Sequence, residues 1–161
     1  MYARSVALSP YLRGLREKIG HELVLLPSVA VLPWDERGRL LMVREANTGR
    51  WQTIGGAIEP DESPHEAAVR EAAEEAGVAV SLQRIRGVVG GPRFRLLYPN
   101  GDLVSYVPTI FDASVMRGTP RPDGEETLEV AWFSPAQLAA AELTEFTHAL
   151  FEVAHVDAAG A

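Results

Sequence analysis

Three glutamates of this chain, Glu71, Glu74 and Glu75, lie at the helical spacings i, i+3 and i+4, so they would crowd one face of a single helix. Like charges at these spacings destabilise an isolated helix by roughly a few tenths of a kcal/mol per pair. The pattern therefore indicates a cation that compensates the repulsion. Carboxylate oxygens suit Mg²⁺ or Mn²⁺, and such sites commonly share the metal with substrate phosphates.

The residues around these glutamates predict the helix that carries them. Ser63 is suited to the N-cap position, with proline next and Glu66 completing a capping box, and Gly77 is the left-handed residue expected after the last turn. Small residues recur at i, i+4 and i+8 and would let the helix lie close to a sheet, with the acidic face turned toward a loop rather than the core; they are Ala68, Ala72 and Ala76.

The segment from Gly56 to Val78 resembles the Nudix box, G-x5-E-x7-R-E-U-x-E-E-x-G-U, in which U is an apolar residue. Two positions depart from the family pattern. Ile54, just before the two glycines, stands where proline is common, and Asp61, just before Glu62, stands where glycine is common. Both affect the shape of the loop more than its metal chemistry. The charged and glycine positions of the motif are occupied by Gly56, Glu62, Arg70, Glu71, Glu74, Glu75 and Gly77.

The resemblance implies an α/β fold, the Nudix-type α/β/α sandwich with a mixed β-sheet. The order of strand and helix signals along the chain is compatible with it, including a hairpin at Pro99–Asp102 and a second capping box at Ser134–Gln137. We expect an N-terminal helical arm over residues 1–22, a Nudix hydrolase domain over residues 23–153 and a C-terminal tail over residues 154–161.

The resemblance also implies a reaction, the metal-assisted attack of water on phosphorus in a nucleoside diphosphate linked to another group. The substrate would be a nucleotide sugar, ADP-ribose, a dinucleoside polyphosphate or a nucleoside triphosphate. Arg70 would orient the carboxylates, because its planar fork can hold one glutamate by two hydrogen bonds. By position, the metal ligands would be Glu71, Glu74 and Glu75 with the carbonyl of Gly55, and Glu62 would be a further acidic neighbour of the metal.

The base that activates water is expected either in the box or on a later loop. Glu71 is the candidate in the box, and Glu126 is favoured over Glu125 on a loop that could close over the metal. Arg93 and Arg95 alternate on an expected strand just after Gly90-Gly91, so they could reach a substrate phosphate, as could Arg44 near the box loop.

Composition excludes several other classes of protein. A net charge of −7 argues against a general nucleic-acid-binding surface. Because the chain has no cysteine, it can form neither disulfides nor zinc–thiolate sites. No apolar run is long enough for a membrane span and the N-terminus lacks a signal-peptide pattern, so a cytoplasmic protein is expected.

An isomerase of the same fold acting on isopentenyl diphosphate would need a cysteine. A nucleotide-sensing module that does not cleave its ligand would be expected to have a degraded box, whereas every charged position is intact here.

The N-terminal arm raises the question of assembly. Leu12, Leu15 and Ile19 recur at helical spacing ahead of the first expected strand. An apolar arm outside the catalytic core needs a cover, so we expect a homodimer. The alternative is an arm that folds back on its own domain.

Overall fold

The computed structural model describes residues 8–156 of the chain. Residues 1–7 of the expected arm and residues 157–161 of the expected tail lie outside the described part. Within it no helix is long and apolar enough to cross a membrane. The elements in chain order are α1 (Pro10–Ile19), β1 (Val24–Pro33), β2 (Leu40–Glu45), β3 (Trp51–Gln52), β4 (Ile54–Ala57), α2 (Pro64–Ala76), β5 (Ala79–Val88), β6 (Arg95–Leu97), β7 (Leu103–Arg117), β8 (Thr127–Phe133), α3 (Pro135–Ala140) and α4 (Glu145–Val153).

The strands form two sheets. In the larger sheet the order is β4-β1-β7-β5, with β6 also paired to β7, and in the smaller sheet the order is β3-β2-β8. Strands β1 and β7 run parallel, whereas the other pairs are antiparallel, so the larger sheet is mixed. The expected α/β class with a mixed sheet is confirmed.

Helix α2 packs on the sheets through its alanine face. Ala68, Ala72 and Ala76 are fully buried against apolar side chains that include Val31 of β1 and Phe111 of β7. The capping box of Ser63 and Glu66 is formed, and Gly77 ends the helix in the left-handed region with φ 67°. These contacts fix α2, and with it the acidic residues, against strand β4. In a second core cluster α4 packs on the strands, with Leu150 buried together with Leu32 of β1 and Met42 of β2.

The described part of the N-terminal arm, residues 8–22, folds back on its own domain, which was the alternative hypothesis. Leu12, Leu15 and Ile19 pack against a cluster formed by β1 and β7 residues, among them Val24 and Val104. The apolar stripe of α1 is therefore covered in part by its own domain, and the homodimer stays a prediction.

Polar contacts also hold α1 in place. Arg16 donates from Nη2 to the carbonyl of Leu103 at 2.9 Å, and its Nε lies 3.5 Å from the buried carboxylate of Asp102. His21 lies 2.7 Å from the same carboxylate. The arm is thus tied to the hairpin between β6 and β7.

The hairpin itself forms as predicted, with Leu97 opposite Leu103. One expectation beside it was wrong. Arg93 does not lie on a strand with Arg95, because Pro92 opens a single 3-10 turn over Pro92–Phe94 and the strand begins only at Arg95. The two short strands β3 and β4 were not predicted, since they lie in a glycine-containing stretch that lacks the usual strand pattern.

Candidate metal-binding and catalytic site

Two glycines of β4 allow close approach on different sides, Gly56 toward α2 and Gly55 toward β1. A Cβ atom on Gly56 would collide with the carboxylate of Glu71, and one on Gly55 would collide with the carbonyl of Val29 in β1. Strand β4 pairs with β1 through these residues, with Gly55 opposite Ala30. The missing side chain of Gly56 therefore leaves the space that the carboxylate of Glu71 fills, and that of Gly55 lets β4 lie close to β1.

Glu75 is buried beside this strand, with 5% of its surface exposed. Its Oε2 accepts a hydrogen bond from the backbone N–H of Gly55 at 3.0 Å. Burial raises the pKa of Glu75 well above its ordinary value, and the neighbouring charge of Glu71 adds to the effect. In an extended strand the carbonyl of a residue points to the same edge as its N–H, so the carbonyl of Gly55 faces the same side as Glu75.

Glu71 is the second buried carboxylate, with 8% of its surface exposed. Burial raises its pKa to about 7, although the hydrogen bond and the charge of Arg70 oppose the change. Glu74 and Glu126 raise the pKa of Glu71 further through like charge. The expectation that the acidic face turns away from the core was therefore wrong for Glu71 and Glu75. Only the side chain of Glu74, 60% exposed, lies in solvent.

Arg70 binds several acceptors at once. Its Nε and Nη2 donate to the two oxygens of Glu62 at 2.7 and 2.9 Å, while Nη1 donates to Glu71 at 2.8 Å and to Glu74 at 3.1 Å. Nη2 also donates to the carbonyl of Ala57 at 3.1 Å. The hydrogen bond from Arg70 lowers the pKa of Glu62. The guanidinium thus joins the box loop, strand β4 and helix α2, and the glutamate held by two hydrogen bonds is Glu62.

Glu126 lies in the loop between β7 and β8, beside the α2 carboxylates. Its pKa is raised by partial burial and by the negative charges of Asp123 and Glu74. The negative charge of Glu126 in turn raises the pKa of both Glu71 and Glu75. The carboxylate of Glu126 accepts no hydrogen bond from residues 8–156. Thr127, the next residue, donates from its hydroxyl to the main-chain carbonyl of Glu75 at 2.9 Å, and this contact brings the loop to the part of α2 that carries the box carboxylates.

This set of donors fits a divalent cation. The groups are oxygens, two of the carboxylates are buried, and the repulsion among them is opposed by a single guanidinium. Mg²⁺ and Mn²⁺ prefer such ligands. Within residues 8–156 no three acidic or histidine side chains are already arranged around one point, because Arg70 lies between Glu71 and Glu74 while Glu75 is bonded to Gly55.

The three candidate substrate arginines have different partners. Arg44 lies on β2 with an Nη1 3.4 Å from Glu129, and Arg93 pairs with Glu152 of α4 at 2.7 Å. Arg95 is exposed on β6 opposite Ser105. Arg44 differs from the other two because its Nε is buried and has no acceptor among residues 8–156.

Other residues near the site carried no recognisable sequence signal. The hydroxyls of Tyr98 and Tyr106 are 2.7 Å apart, and burial raises the pKa of both. The charge of Glu126 adds to the effect on Tyr98 and that of Glu71 to the effect on Tyr106, so the pair lies near the acidic cluster. Asp123 and Thr127, which organise the loop of Glu126, were also missed. Their bonds depend on contacts distant in sequence.

Comparison with known proteins agrees with this geometry. The protein-family model of the NUDIX domain matches residues 24–153, so the chain belongs to the Nudix family. It is 32% identical over 108 residues to a putative 8-oxo-dGTP diphosphatase of Bacillus subtilis (strain 168), an alignment that covers 67% of this chain and 66% of that protein.

Two further relatives extend the comparison. An isopentenyl-diphosphate Delta-isomerase of Streptomyces coelicolor is 36% identical over 115 residues, covering 68% of this chain and 57% of that protein. The crystal structure of a MutT protein from Methanosarcina mazei Go1 superposes with a TM-score of 0.66 at 26% identity, covering 84% of this chain and 96% of that one. The chain thus spans somewhat less than two thirds of the length of these sequence relatives and nearly all of the solved Nudix structure.

Proposed function

We propose that this chain is a divalent-cation-dependent hydrolase that cleaves a pyrophosphate bond in a nucleoside diphosphate linked to another group. The observation that carries the proposal is the pair of buried carboxylates, Glu71 and Glu75, packed against a glycine strand. Burying two negative charges side by side is costly unless a cation joins them. Phosphoryl transfer needs mostly positioning and neutralisation of charge, which this arrangement supports.

The roles of the residues follow from their contacts. Glu71, Glu74, Glu75 and the carbonyl of Gly55 would hold Mg²⁺ or Mn²⁺. Bound there, the cation would neutralise phosphate charge and lower the pKa of water. Because both oxygens of Glu62 are engaged by Arg70, we assign Glu62 to fixing that guanidinium rather than to direct ligation.

Of the two candidate bases we favour Glu126. Burial also raises the pKa of Glu71, to about 7, but Arg70 donates to its carboxylate and Glu71 is already assigned to the metal. Glu126 has no such donor, and its raised pKa makes it a stronger base than a solvated glutamate. In the proposed step Glu126 takes a proton from water as the water oxygen bonds to phosphorus, and the bond from phosphorus to the bridging oxygen breaks.

The substrate class rests on the family and on one unpaired donor. Relatives are named as diphosphatases and pyrophosphohydrolases of nucleotides and of RNA. In this chain the Nε of Arg44 has no acceptor among residues 8–156, and a turn of the side chain would bring this buried donor to a substrate oxygen, so we favour Arg44 among the three arginines. We propose a small nucleotide as substrate, as a net charge of −7 gives little general attraction for long nucleic acids.

An isomerase is the second candidate, favoured by the Streptomyces coelicolor relative. The chain has no cysteine to serve as the acid or base that this reaction was expected to need. A panel of nucleotide sugars, ADP-ribose, dinucleoside polyphosphates, nucleoside triphosphates and isopentenyl diphosphate tests both candidates. With Mg²⁺, wild-type protein should release a nucleotide product from at least one nucleotide compound, and chelation with EDTA should stop the release.

The Glu75→Gln variant, verified to be folded, is the matched control in that panel. It should lose nearly all release of product. Isomerisation of isopentenyl diphosphate without nucleotide hydrolysis would contradict the hydrolase assignment. Binding of a nucleotide without any turnover would instead indicate a sensing module.

A further inference from the structure

The loop that carries Glu126 is organised by one carboxylate. Asp123 Oδ1 accepts hydrogen bonds from three successive backbone N–H groups, those of Glu125 at 2.8 Å and of Glu126 and Thr127 at 2.9 Å. The carbonyl of Glu126 in turn accepts from the N–H of Ala46 at 2.9 Å. Both polar groups of the Glu126 backbone are therefore engaged, and the direction in which its side chain leaves the loop is fixed.

A second set of bonds joins this loop to helix α2. The hydroxyl of Thr127 donates to the main-chain carbonyl of Glu75 at 2.9 Å, and the N–H of Arg121 donates to the carbonyl of Ala76 at 2.9 Å. Thr127 is fully buried. Thr127, the residue after Glu126, is thus hydrogen-bonded directly to the main chain of Glu75, a proposed metal ligand.

A β-bulge brings Thr127 to that side of the sheet. In the β2–β8 pair Arg44 lies opposite Glu129 but Glu45 lies opposite Thr127, so Leu128 is an extra residue. Strict alternation would place Leu128 on the α2 face with Val130 and would turn Thr127 away from α2. The extra residue instead leaves Leu128 44% exposed while Thr127 is buried against the helix.

From these contacts we propose that Asp123 and Thr127 are positioning residues that hold Glu126 against the α2 carboxylates before substrate binds. The inference rests on the proposed hydrolase function and adds residues to it. It replaces the expectation of a loop that closes over the site, because the loop is already bonded to α2. Asp123 and Thr127 act on the reaction only through the placement of Glu126.

The experiment compares disruptive and conservative variants at both positions on the best substrate of the panel. Thr127→Val and Asp123→Ala remove the bonds and should lower kcat at least tenfold with KM changed less than threefold. Thr127→Ser keeps the hydroxyl and Asp123→Asn keeps an acceptor oxygen, so both should retain at least a third of wild-type kcat. Loss of kcat in Asp123→Asn equal to that in Asp123→Ala would overturn the positioning role and indicate that the charge matters instead.

Two matched control variants measure the effect of a comparable structural loss elsewhere. Thr147 is equally buried and its hydroxyl accepts from the N–H of Thr53 at 3.2 Å. Asp35 accepts from the N–H groups of Arg37 and Arg39 at 2.9 and 2.8 Å in the β1–β2 turn. Thr147→Val and Asp35→Ala should lower Tm by amounts similar to their counterparts and leave kcat within threefold of wild type. Equal losses of kcat in the controls would show a general effect of stability and overturn the inference.

A double-mutant cycle tests whether the effect passes through Glu126. Glu126→Gln combined with Thr127→Val should be no slower than Glu126→Gln alone. Losses that multiply would show that Thr127 acts independently and would overturn the proposal. Wild-type kcat in Glu126→Gln would overturn it as well, while the hydrolase function would then still stand on Glu71 and Glu75.

Hydrogen exchange of the free protein supplies a measurement that does not depend on turnover. Without metal or substrate, the amides of residues 125–127 should exchange slowly in the wild type and at least tenfold faster in Asp123→Ala. Rapid exchange in the wild type that slows only when metal and a nucleotide are added would show a loop that closes on substrate, which contradicts a pre-set Glu126.

Discussion

Replacing Glu71 by glutamine should stabilise the metal-free protein at alkaline pH. The folded state holds the pKa of Glu71 at about 7, whereas the ordinary value is 4.5. The unfolded chain therefore loses this proton first, and the stability of the folded state falls as pH rises from about 4.5 and is lowest above about 7. Glutamine, which resembles the protonated acid, carries no such penalty.

The magnitude follows from the two pKa values. The difference between 4.5 and about 7 corresponds to roughly 3 kcal/mol in the free energy of unfolding at pH 8.5. At pH 5 most of the penalty is absent, and the two proteins should differ by less than about 1 kcal/mol. For a chain of this length each kcal/mol changes Tm by about 2 to 4 °C, so Glu71→Gln should melt roughly 10 °C higher at pH 8.5.

Thermal unfolding followed by circular dichroism in EDTA, at pH 5 and pH 8.5, measures this difference. Glu74→Gln is the matched control, because Glu74 lies on the same helix and contacts the same Arg70 but is 60% exposed, so its Tm should hardly change. Mg²⁺ should raise the Tm of the wild type and have little effect on Glu71→Gln. A Glu71→Gln protein that is no more stable than the wild type at pH 8.5 would refute the account of a buried charge that Arg70 compensates only in part.

Three further predictions concern the residues around the pair. Glu75→Gln should lose at least 100-fold in kcat while metal-free stability holds or rises, as measured by turnover and thermal unfolding; near wild-type turnover would remove Glu75 from the site. Arg70→Lys should lower kcat at least tenfold, because lysine cannot hold Glu62 by two parallel bonds, and retention of full activity would show that the fork is dispensable. Gly56→Ala should stay folded but lose Mn²⁺ affinity, since the flexible end of Glu71 must move, whereas Gly55→Ala should lower Tm strongly because it meets the backbone of Val29. Equal Tm values for the two glycine variants would contradict this difference.

Much of the site could be predicted because its signals are local. Capping residues, alanine spacing and the terminal glycine define α2 within one stretch of chain, and the carboxylates follow from the same helix. The burial of Glu71 and Glu75 could not be predicted, because it depends on how closely β4 approaches α2, which Gly56 allows. A fork of Arg70 on one glutamate was expected, but only the folded box loop shows that this glutamate is Glu62.

Of the remaining differences, two come from contacts between distant parts of the chain and one from a local turn. The apolar stripe of α1 is visible in the sequence, but its period does not tell whether Leu12 and Leu15 face their own domain or another molecule. The bond from Thr127 to Glu75 joins residues 52 positions apart and depends on a bulge in β8. Arg93 was assigned to a strand because alternation with Arg95 suggested one, and the proline before it favours a turn.

The most direct test of the central claim, that Glu71 and Glu75 form a divalent-cation site, is Mn²⁺ binding without substrate. Electron paramagnetic resonance of free Mn²⁺ at pH 8 measures the dissociation constant for the wild type and for Glu71→Gln and Glu75→Gln. The wild type should bind Mn²⁺ and each variant should bind it at least tenfold more weakly, because each loses one charged ligand. Equal affinity in all three proteins, with the variants folded, would contradict the claim.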